Sequence, residues 1–161
     1  MKNFNSPTKG KLDLDGVAKE IVDYLKSESD PEQKYQLIIG SDSEGNGKIV
    51  IVTAIVIYKK KKGGRYFWKK FDQDKIYNLK QKIYKEVEHS LKVSQELIQE
   101  LKAHLVEEDL INNLEIHIDV GENGPTKELI REVVGMVLGC GFKAKTKPNS
   151  FGASLVADRH I

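Results

Sequence analysis

Apolar residues recur at helical spacing in three segments of the chain. In residues 14–25 every third or fourth position is apolar, which predicts one amphipathic helix. A longer stripe of the same kind occupies residues 75–106 and predicts one long helix. A third apolar face follows Pro125, a residue that suits a first helical turn, and ends before Gly139 and Gly141. The chain therefore contains at least three helices, one of them long.

Five other segments have the pattern of β-strands. Residues 35–42 form a short apolar run that ends in polar residues, and residues 48–58 and 65–71 follow it after two glycine-bearing turns. These three segments predict an antiparallel meander. Residues 114–120 alternate between apolar and polar positions, and residues 142–147 form a last short strand. Each of these last two strands follows a predicted helix.

The order of elements predicts an α/β fold. A meander is followed by helix, strand, helix, strand and a short C-terminal helix, and a parallel strand needs such a crossover helix. We therefore expect one mixed sheet with helices on both faces. Residues 1–34 are expected to form an N-terminal helical extension and residues 35–161 the domain itself.

Composition excludes several classes of protein. With 161 residues, 39% of them hydrophobic, the chain is long enough for one domain with its own core. One cysteine cannot form an internal disulfide. The N-terminus is polar, and no uninterrupted apolar stretch approaches the roughly 20 residues of a membrane helix. We expect a cytoplasmic protein without a membrane partner.

The net charge of +2 does not by itself indicate a nucleic-acid partner, but one segment is strongly basic. Residues 59–70 contain seven lysines and arginines, no acid, and the aromatic residues Tyr66, Phe67 and Trp68. Such a segment can contact phosphates and stack on bases. It can equally be a solvated hairpin whose lysines prevent a sheet edge from pairing with other chains.

Two carboxylates stand at the ends of predicted strands. Asp42 ends the first strand of the meander and Asp119 ends the strand at 114–120. Ligands of such sheets collect beyond the carboxyl ends of the strands. If the two strands are adjacent and parallel, the carboxylates lie close together and need a proton or a cation between them. Hard oxygen ligands without a Cys or His cluster favour Mg²⁺ or Mn²⁺.

The long helix should supply a third acid to the same place. At 100° per residue, Glu86 lies about 80° from the centre of the apolar stripe, whereas Glu88 lies about 120° away on the other side. Glu86 is thus at the border of the buried face and can reach inward, and Glu88 faces solvent. We predict Glu86 as the third ligand.

Three segments resemble the YkuK family, uncharacterised bacterial proteins grouped with the ribonuclease H-like superfamily. They are residues 40–43 (GSDS), 117–121 (HIDVG) and 147–154 (KPNSFGAS), and the resemblance extends over about residues 35–161. It implies the ribonuclease H fold, a five-stranded mixed sheet of order 3-2-1-4-5 with strand 2 antiparallel. In that order the first and fourth strands, which carry Asp42 and Asp119, are neighbours.

The resemblance also implies a function. Superfamily members cleave phosphodiester bonds with two metal ions held by acids on the first strand, the first long helix, the fourth strand and a C-terminal helix. Carried over by position, these acids are Asp42, Glu86, Asp119 and Asp158. One ion activates a water and the other stabilises the leaving oxygen. Asp158 follows from its place in the order and not from a motif.

Further polar residues near these acids are candidates for contacts with a substrate. Those predicted to bind it are Ser41, Ser43, Lys147, Asn149 and Ser150. The two serines beside the first acid can equally stabilise a turn, and Asn149 and Ser150 can equally cap the next helix. His160 is a possible accessory in product release or proton transfer, although a frayed terminal histidine is the simpler interpretation. His117 is expected to be a core or supporting histidine.

The sequence thus predicts a nuclease that depends on two Mg²⁺ or Mn²⁺ ions, with nucleic acid as its partner. The alternative is a ribonuclease H-like module that binds nucleic acid or a protein without cleaving anything, since fold does not imply function. RNA and DNA, and endonuclease and exonuclease action, are not distinguished by the sequence.

Overall fold

The computed structural model describes residues 3–27, 34–45, 48–59, 63–76 and 78–161. Seven strands form one sheet in the order β2-β1-β5-β4-β3-β6-β7. The strands are β1 Phe4–Ser6, β2 Gly10–Leu12, β3 Tyr35–Glu44, β4 Ile49–Lys59, β5 Gly63–Gln73, β6 Glu115–His117 and β7 Lys143–Lys145. The helices are α1 Leu14–Lys26, α2 Leu79–Ala103, α3 Glu108–Asn112 and α4 Ile130–Gly139. A π-helix, Gly152–Ala157, and a 3-10 turn, Asp158–His160, form the C-terminal segment.

The predicted five-stranded order is confirmed within this sheet. Strands β5-β4-β3-β6-β7 are the predicted order 3-2-1-4-5, with β4 antiparallel to both neighbours and β6 parallel to β3. β7 runs parallel to β6. β3 and β4 pair along ten residues, from Tyr35 opposite Lys59 to Glu44 opposite Val50. This pairing extends to the last residue of β3.

The sheet has two strands more than predicted. β1 and β2 form a hairpin before α1, and Asn5 of β1 pairs with Trp68 of β5. Strands of three largely polar residues have too little alternation to be recognised by period. β1 therefore pairs with the outer edge of β5 at Trp68, in the middle of the strand, and the interpretation of the basic segment as the guard of a sheet edge stays a prediction. Lys60, Lys61 and Lys62 lie outside the described residues.

The long helix is shorter than predicted. The Asn78 side chain accepts a hydrogen bond from the Gln81 backbone N–H at 2.8 Å and caps its start. α2 ends at Ala103. Leu105, two residues later, has a positive φ of 58°, a conformation that stops a helix. The short α3, which follows, was not predicted. β6 is also shorter than the alternation at 114–120, so Asp119 lies two residues beyond the strand.

The two faces of the sheet are covered differently. All four α-helices contribute buried residues, such as Val17, Val87, Leu110 and Val133, to one large core cluster. On the opposite face, residues of β4 and the C-terminal segment form a small second cluster of Val52, Ala54 and Ala157, with Trp68 and Ile161 packed against it. β3 therefore contacts α2 on one face of the sheet and the C-terminal segment on the other. In the described ranges, no helix is long and apolar enough to cross a membrane.

Candidate active site

The first two acids lie side by side where β3 and β6 end. The strands pair in parallel, with Gly40 opposite His117. Asp42 lies two residues after Gly40 and Asp119 two residues after His117, and the charge of Asp119 acts on Asp42. The adjacency that the prediction required is therefore present in the fold.

Glu86 reaches these acids from α2. Its side chain is buried, with 3% of the residue exposed, and its Oε1 accepts a hydrogen bond of 2.6 Å from the Ser43 hydroxyl. Lys82 Nζ, one helical turn earlier, lies 3.9 Å from the same oxygen. Burial raises the pKa of Glu86 to about 8, and the charges of Asp42 and Asp119 add to the rise, while Ser43 and Lys82 oppose it. Glu86 is therefore close to both strand-end acids.

The neighbouring acid on the helix behaves differently. The Glu88 side chain is 54% exposed and pairs with Lys85 at 3.1 Å. The helix geometry predicted Glu86 at the border of the buried face and Glu88 towards solvent, and the structure has a buried Glu86 and an exposed Glu88. Glu88 is a natural control residue, since it is the same amino acid two positions away on the same helix.

Asp158 joins the group through Asp42. Burial, with 7% of the residue exposed, raises the pKa of Asp42 to about 6, and a hydrogen bond between the Asp42 and Asp158 carboxyl groups raises it further. The charge of Asp119 acts in the same direction, whereas the Ser43 backbone N–H, which donates to Asp42 Oδ1 at 2.9 Å, and Lys82 act against it. Four acids from four separate elements therefore interact in one place.

Asp119 pairs with one neighbouring cation. Lys147 Nζ lies 3.1 Å from the buried Asp119 Oδ1 and forms an ion pair with it. Lys147 is held beside it because its backbone N–H donates to Val120 O at 2.8 Å. A Cβ on Gly121 would lie 3.0 Å from the Lys147 Cβ, so this close approach favours glycine at that position. The predicted phosphate contact of Lys147 remains a prediction, and the structure gives Lys147 an acid as its partner.

The donor set of the four acids suits a hard divalent cation. It consists of carboxylate oxygens, and two of the carboxyl groups, those of Asp42 and Glu86, are buried and have raised pKa values. These are the conditions that a bound divalent cation relieves. The oxygens are not as closely gathered as the ligands of a single ion, because no three of these acids have oxygens all within 4.8 Å of one another. Two ions about 4 Å apart would use such a wider spacing.

A second group with metal-ligand chemistry lies elsewhere. Among the described residues, Asp15, Glu100 and His104 are the three whose ligand atoms all lie within 4.8 Å of one another. His104 Nε2 is 2.8 Å from Asp15 Oδ1, and Lys19 Nζ is 2.9 Å from Asp15 Oδ2. The group therefore already connects α1 to the end of α2 through the contact between His104 and Asp15. The sequence shows Glu100 and His104 one helical turn apart, but Asp15 comes from another helix and could not be added.

Of the two predicted serines, one lies beside the acids and the other does not. Ser43 holds Glu86, as described. The buried Ser41 hydroxyl instead bonds Thr53 at 2.8 Å and Ser90 at 2.7 Å. Ser41 precedes Asp42 and points to the opposite face of β3, into the core beneath α2. Ser41 therefore joins β3 to β4 and α2, and its substrate contact stays a prediction.

The residues after β7 form a turn. Asn149 is exposed, and its backbone N–H donates to Thr146 O at 2.8 Å in a turn. Ser150 is buried. Substrate contacts of Asn149 and Ser150 stay predictions.

His160 packs on the sheet. Its ring stacks on the Trp68 indole with centroids 4.3 Å apart and 10° between the planes, and it lies 5.4 Å from the Tyr66 ring. Burial lowers its pKa, and Arg159 and Lys70 lower it further. Its Nε2 is buried without a hydrogen-bond partner. The interpretation of a frayed terminal histidine is therefore wrong.

The same packing changes the interpretation of the basic segment. Phe67 belongs to the core, and Trp68 is covered on one face by the terminal histidine. Lys59 is fully buried, with its Nζ 5.2 Å from the centre of the Tyr35 ring. In the described part of the segment, Phe67 and Lys59 are engaged within the fold, whereas Tyr66 and Trp68 are half-buried, and base stacking on them stays a prediction.

His117 supports the C-terminal segment. It is buried, its Nδ1 accepts the Gly152 backbone N–H at 3.1 Å, and its Nε2 lies 3.2 Å from Glu115 Oε2. Because Nδ1 accepts, Nε2 carries the proton and donates to Glu115. Burial lowers the pKa of His117, which favours this neutral form. The expectation of a supporting histidine agrees with this arrangement.

Comparison with known proteins agrees with the fold. The family model described as Ribonuclease H-like matches residues 16–161. The chain belongs to this family. It is also 30% identical to the uncharacterized protein YkuK of Bacillus subtilis (strain 168), over 87% of this chain and 88% of that protein. No solved structure matches the chain significantly.

Proposed function

We propose that the protein is a metal-dependent nuclease that hydrolyses phosphodiester bonds of nucleic acid. The observation that supports it is the meeting of Asp42, Glu86, Asp119 and Asp158 at one end of the sheet, in a fold whose family commonly acts on nucleic acid. Buried carboxyl groups with raised pKa values are typical of functional sites. A purely structural cluster would be stabler with neutral residues in these places.

The four acids would hold two Mg²⁺ or Mn²⁺ ions. When bound, such ions activate a water and stabilise the leaving oxygen of the cleaved bond. The chain itself contributes orientation: Ser43 fixes the Glu86 carboxyl group by the hydrogen bond of 2.6 Å, and its backbone N–H holds Asp42. Lys82 and Lys147 stand beside the acids and would contact substrate phosphates.

The raised pKa values give the proposal a pH dependence. Protons compete with metal for Asp42 and Glu86, whose pKa values are about 6 and about 8. Metal affinity and cleavage should therefore rise with pH through this range.

A cleavage assay with matched variants tests the proposal. Labelled single-stranded, duplex and hybrid oligonucleotides are incubated with Mn²⁺, Mg²⁺ or EDTA. We expect cleavage only with metal, its reduction to background in Asp42→Asn and Glu86→Gln, and wild-type cleavage in Glu88→Gln, whose side chain faces solvent.

The same assay distinguishes the nuclease from the alternative, a module that binds nucleic acid without cleaving it. If the wild type binds nucleic acid but cleaves no substrate with either metal, the non-catalytic module is favoured and the nuclease is refuted. Equal cleavage by Glu86→Gln and Glu88→Gln would refute the assigned site.

A further inference from the structure

A pocket of about 380 Å³ opens next to the acids, between the end of β3 and the start of α2. Its apolar lining consists of Ile49, Ile76 and Leu79. Leu79 is a large hydrophobic residue and is 38% exposed. It is the first residue of α2, a position at which a polar side chain would also fit. A volume of this size, with apolar walls and few polar groups, has the character of a small-ligand pocket.

The pocket and the acids share two residues. Ser43 and Lys82 line the pocket, and both contact Glu86, at 2.6 Å and 3.9 Å. A molecule in the pocket is therefore next to a group bound at the acids. Lys82 stands between them and can contact a phosphate that joins the two.

The charge of the pocket fits a nucleotide. The first turn of α2 has no acid of its own and contains Lys80 and Lys82, which favours an anionic group near the start of the helix. Glu44 also lines the pocket and offers a hydrogen-bond acceptor to an exocyclic amino group. Apolar walls, the polar side chains of Ser43, Glu44 and Asn78, and a neighbouring cation match a base with its phosphate.

We propose that this pocket receives one unpaired base of a nucleic-acid strand whose phosphate passes Lys82 to the acids, and that the protein therefore prefers single-stranded substrate. This inference rests on the proposed function, which places the phosphate of the substrate at the acids. A base in a duplex is covered by its partner and by the neighbours in the stack, and it must leave the stack to enter such a pocket. An unpaired base enters without that cost.

Binding measured without cleavage tests the preference. Fluorescence anisotropy is recorded in Ca²⁺ with a labelled 12-nucleotide single strand, the blunt duplex of the same sequence, and that duplex with an unpaired overhang. The test variant is Leu79→Asp, which places a negative charge in the pocket and, at the first helical position, is compatible with the helix. The matched control is Leu105→Asp, at the other end of α2, where the leucine is 90% exposed.

We expect the single strand and the overhang to bind about tenfold more tightly than the blunt duplex. Leu79→Asp should weaken single-strand binding about tenfold, and Leu105→Asp should bind like the wild type. Equal binding of single strand and blunt duplex, no binding of any of the three, or no effect of Leu79→Asp would overturn the proposal.

The cleavage assay keeps the two proposals apart. If Leu79→Asp cleaves every substrate like the wild type, the pocket proposal fails and the nuclease stands. If binding depends on Leu79 but nothing is cleaved with Mn²⁺, the nuclease fails and the pocket stands.

Discussion

Replacing Glu86 by glutamine should stabilise the metal-free protein at neutral and alkaline pH. Glutamine has nearly the same shape, and its carbonyl oxygen can still accept the Ser43 hydrogen bond, but it has no charge to bury. The wild-type carboxyl group has a pKa of about 8 in the folded chain, against an ordinary value of 4.5. A glutamate with a raised pKa makes the folded state less stable wherever the unfolded chain has released the proton.

The sign and the size follow from this difference. Below about pH 4.5 the carboxyl group is protonated in both states, so that the wild type and Glu86→Gln should differ little. As pH rises towards about 8 the unfolded chain gains stability by losing its proton, and the folded wild type does not. At about 1.4 kcal/mol for each pH unit, the folded wild type loses on the order of 4 kcal/mol relative to the variant across this range.

Urea denaturation followed by circular dichroism in EDTA measures this effect. We expect Glu86→Gln to exceed the wild type by about 2–4 kcal/mol at pH 8 and by much less at pH 4.5. Glu88→Gln, on the exposed side of the helix, should follow the wild type at both pH values. Saturating Mn²⁺ should stabilise the wild type and not Glu86→Gln. A variant that is less stable than the wild type at pH 8 would refute the reasoning, since Glu86 would then be a structural ion partner.

Two further substitutions test the C-terminal segment. Gly152→Ala should lower the free energy of unfolding, measured by urea denaturation, by about 1–3 kcal/mol, because the new methyl group would lie 2.7 Å from a buried isoleucine side chain. Gly135→Ala, with no atom near the added carbon, should not destabilise the protein. Equal stabilities of the two variants would contradict the packing of this segment. His160→Ala should shift the emission of Trp68, the one tryptophan in the chain, to longer wavelength because the indole loses its stacked cover, and His160→Phe should largely preserve the emission. An unchanged spectrum in His160→Ala would show that the stack is not formed.

Several features of the fold could be predicted because each depends on a local pattern. The positions of Asp42 and Asp119 follow from where two apolar strand patterns stop, and the choice of Glu86 over Glu88 follows from the angle between neighbouring residues on a helix. Their adjacency was available only through the resemblance, because sequence periodicity does not determine the order of strands in a sheet. The parallel pairing of β3 with β6 then fits the implied order.

Other features depend on contacts between distant segments and could not be predicted. The hairpin of β1 and β2 is stabilised by pairing with β5, and its own strands are too short for a period. The stack of His160 on Trp68 joins residues 92 positions apart, which no local pattern encodes. The contacts of Ser41 with Thr53 and Ser90 likewise join three separate elements, which no local pattern shows.

Anomalous diffraction from crystals grown with Mn²⁺ is the most direct test of the central claim that the acids form a metal site. We predict two peaks about 4 Å apart, in contact with Asp42, Glu86 and Asp119. Mn²⁺ bound solely at the group formed by Asp15, Glu100 and His104, or no peak among the acids at saturating Mn²⁺ and pH 8, would contradict it.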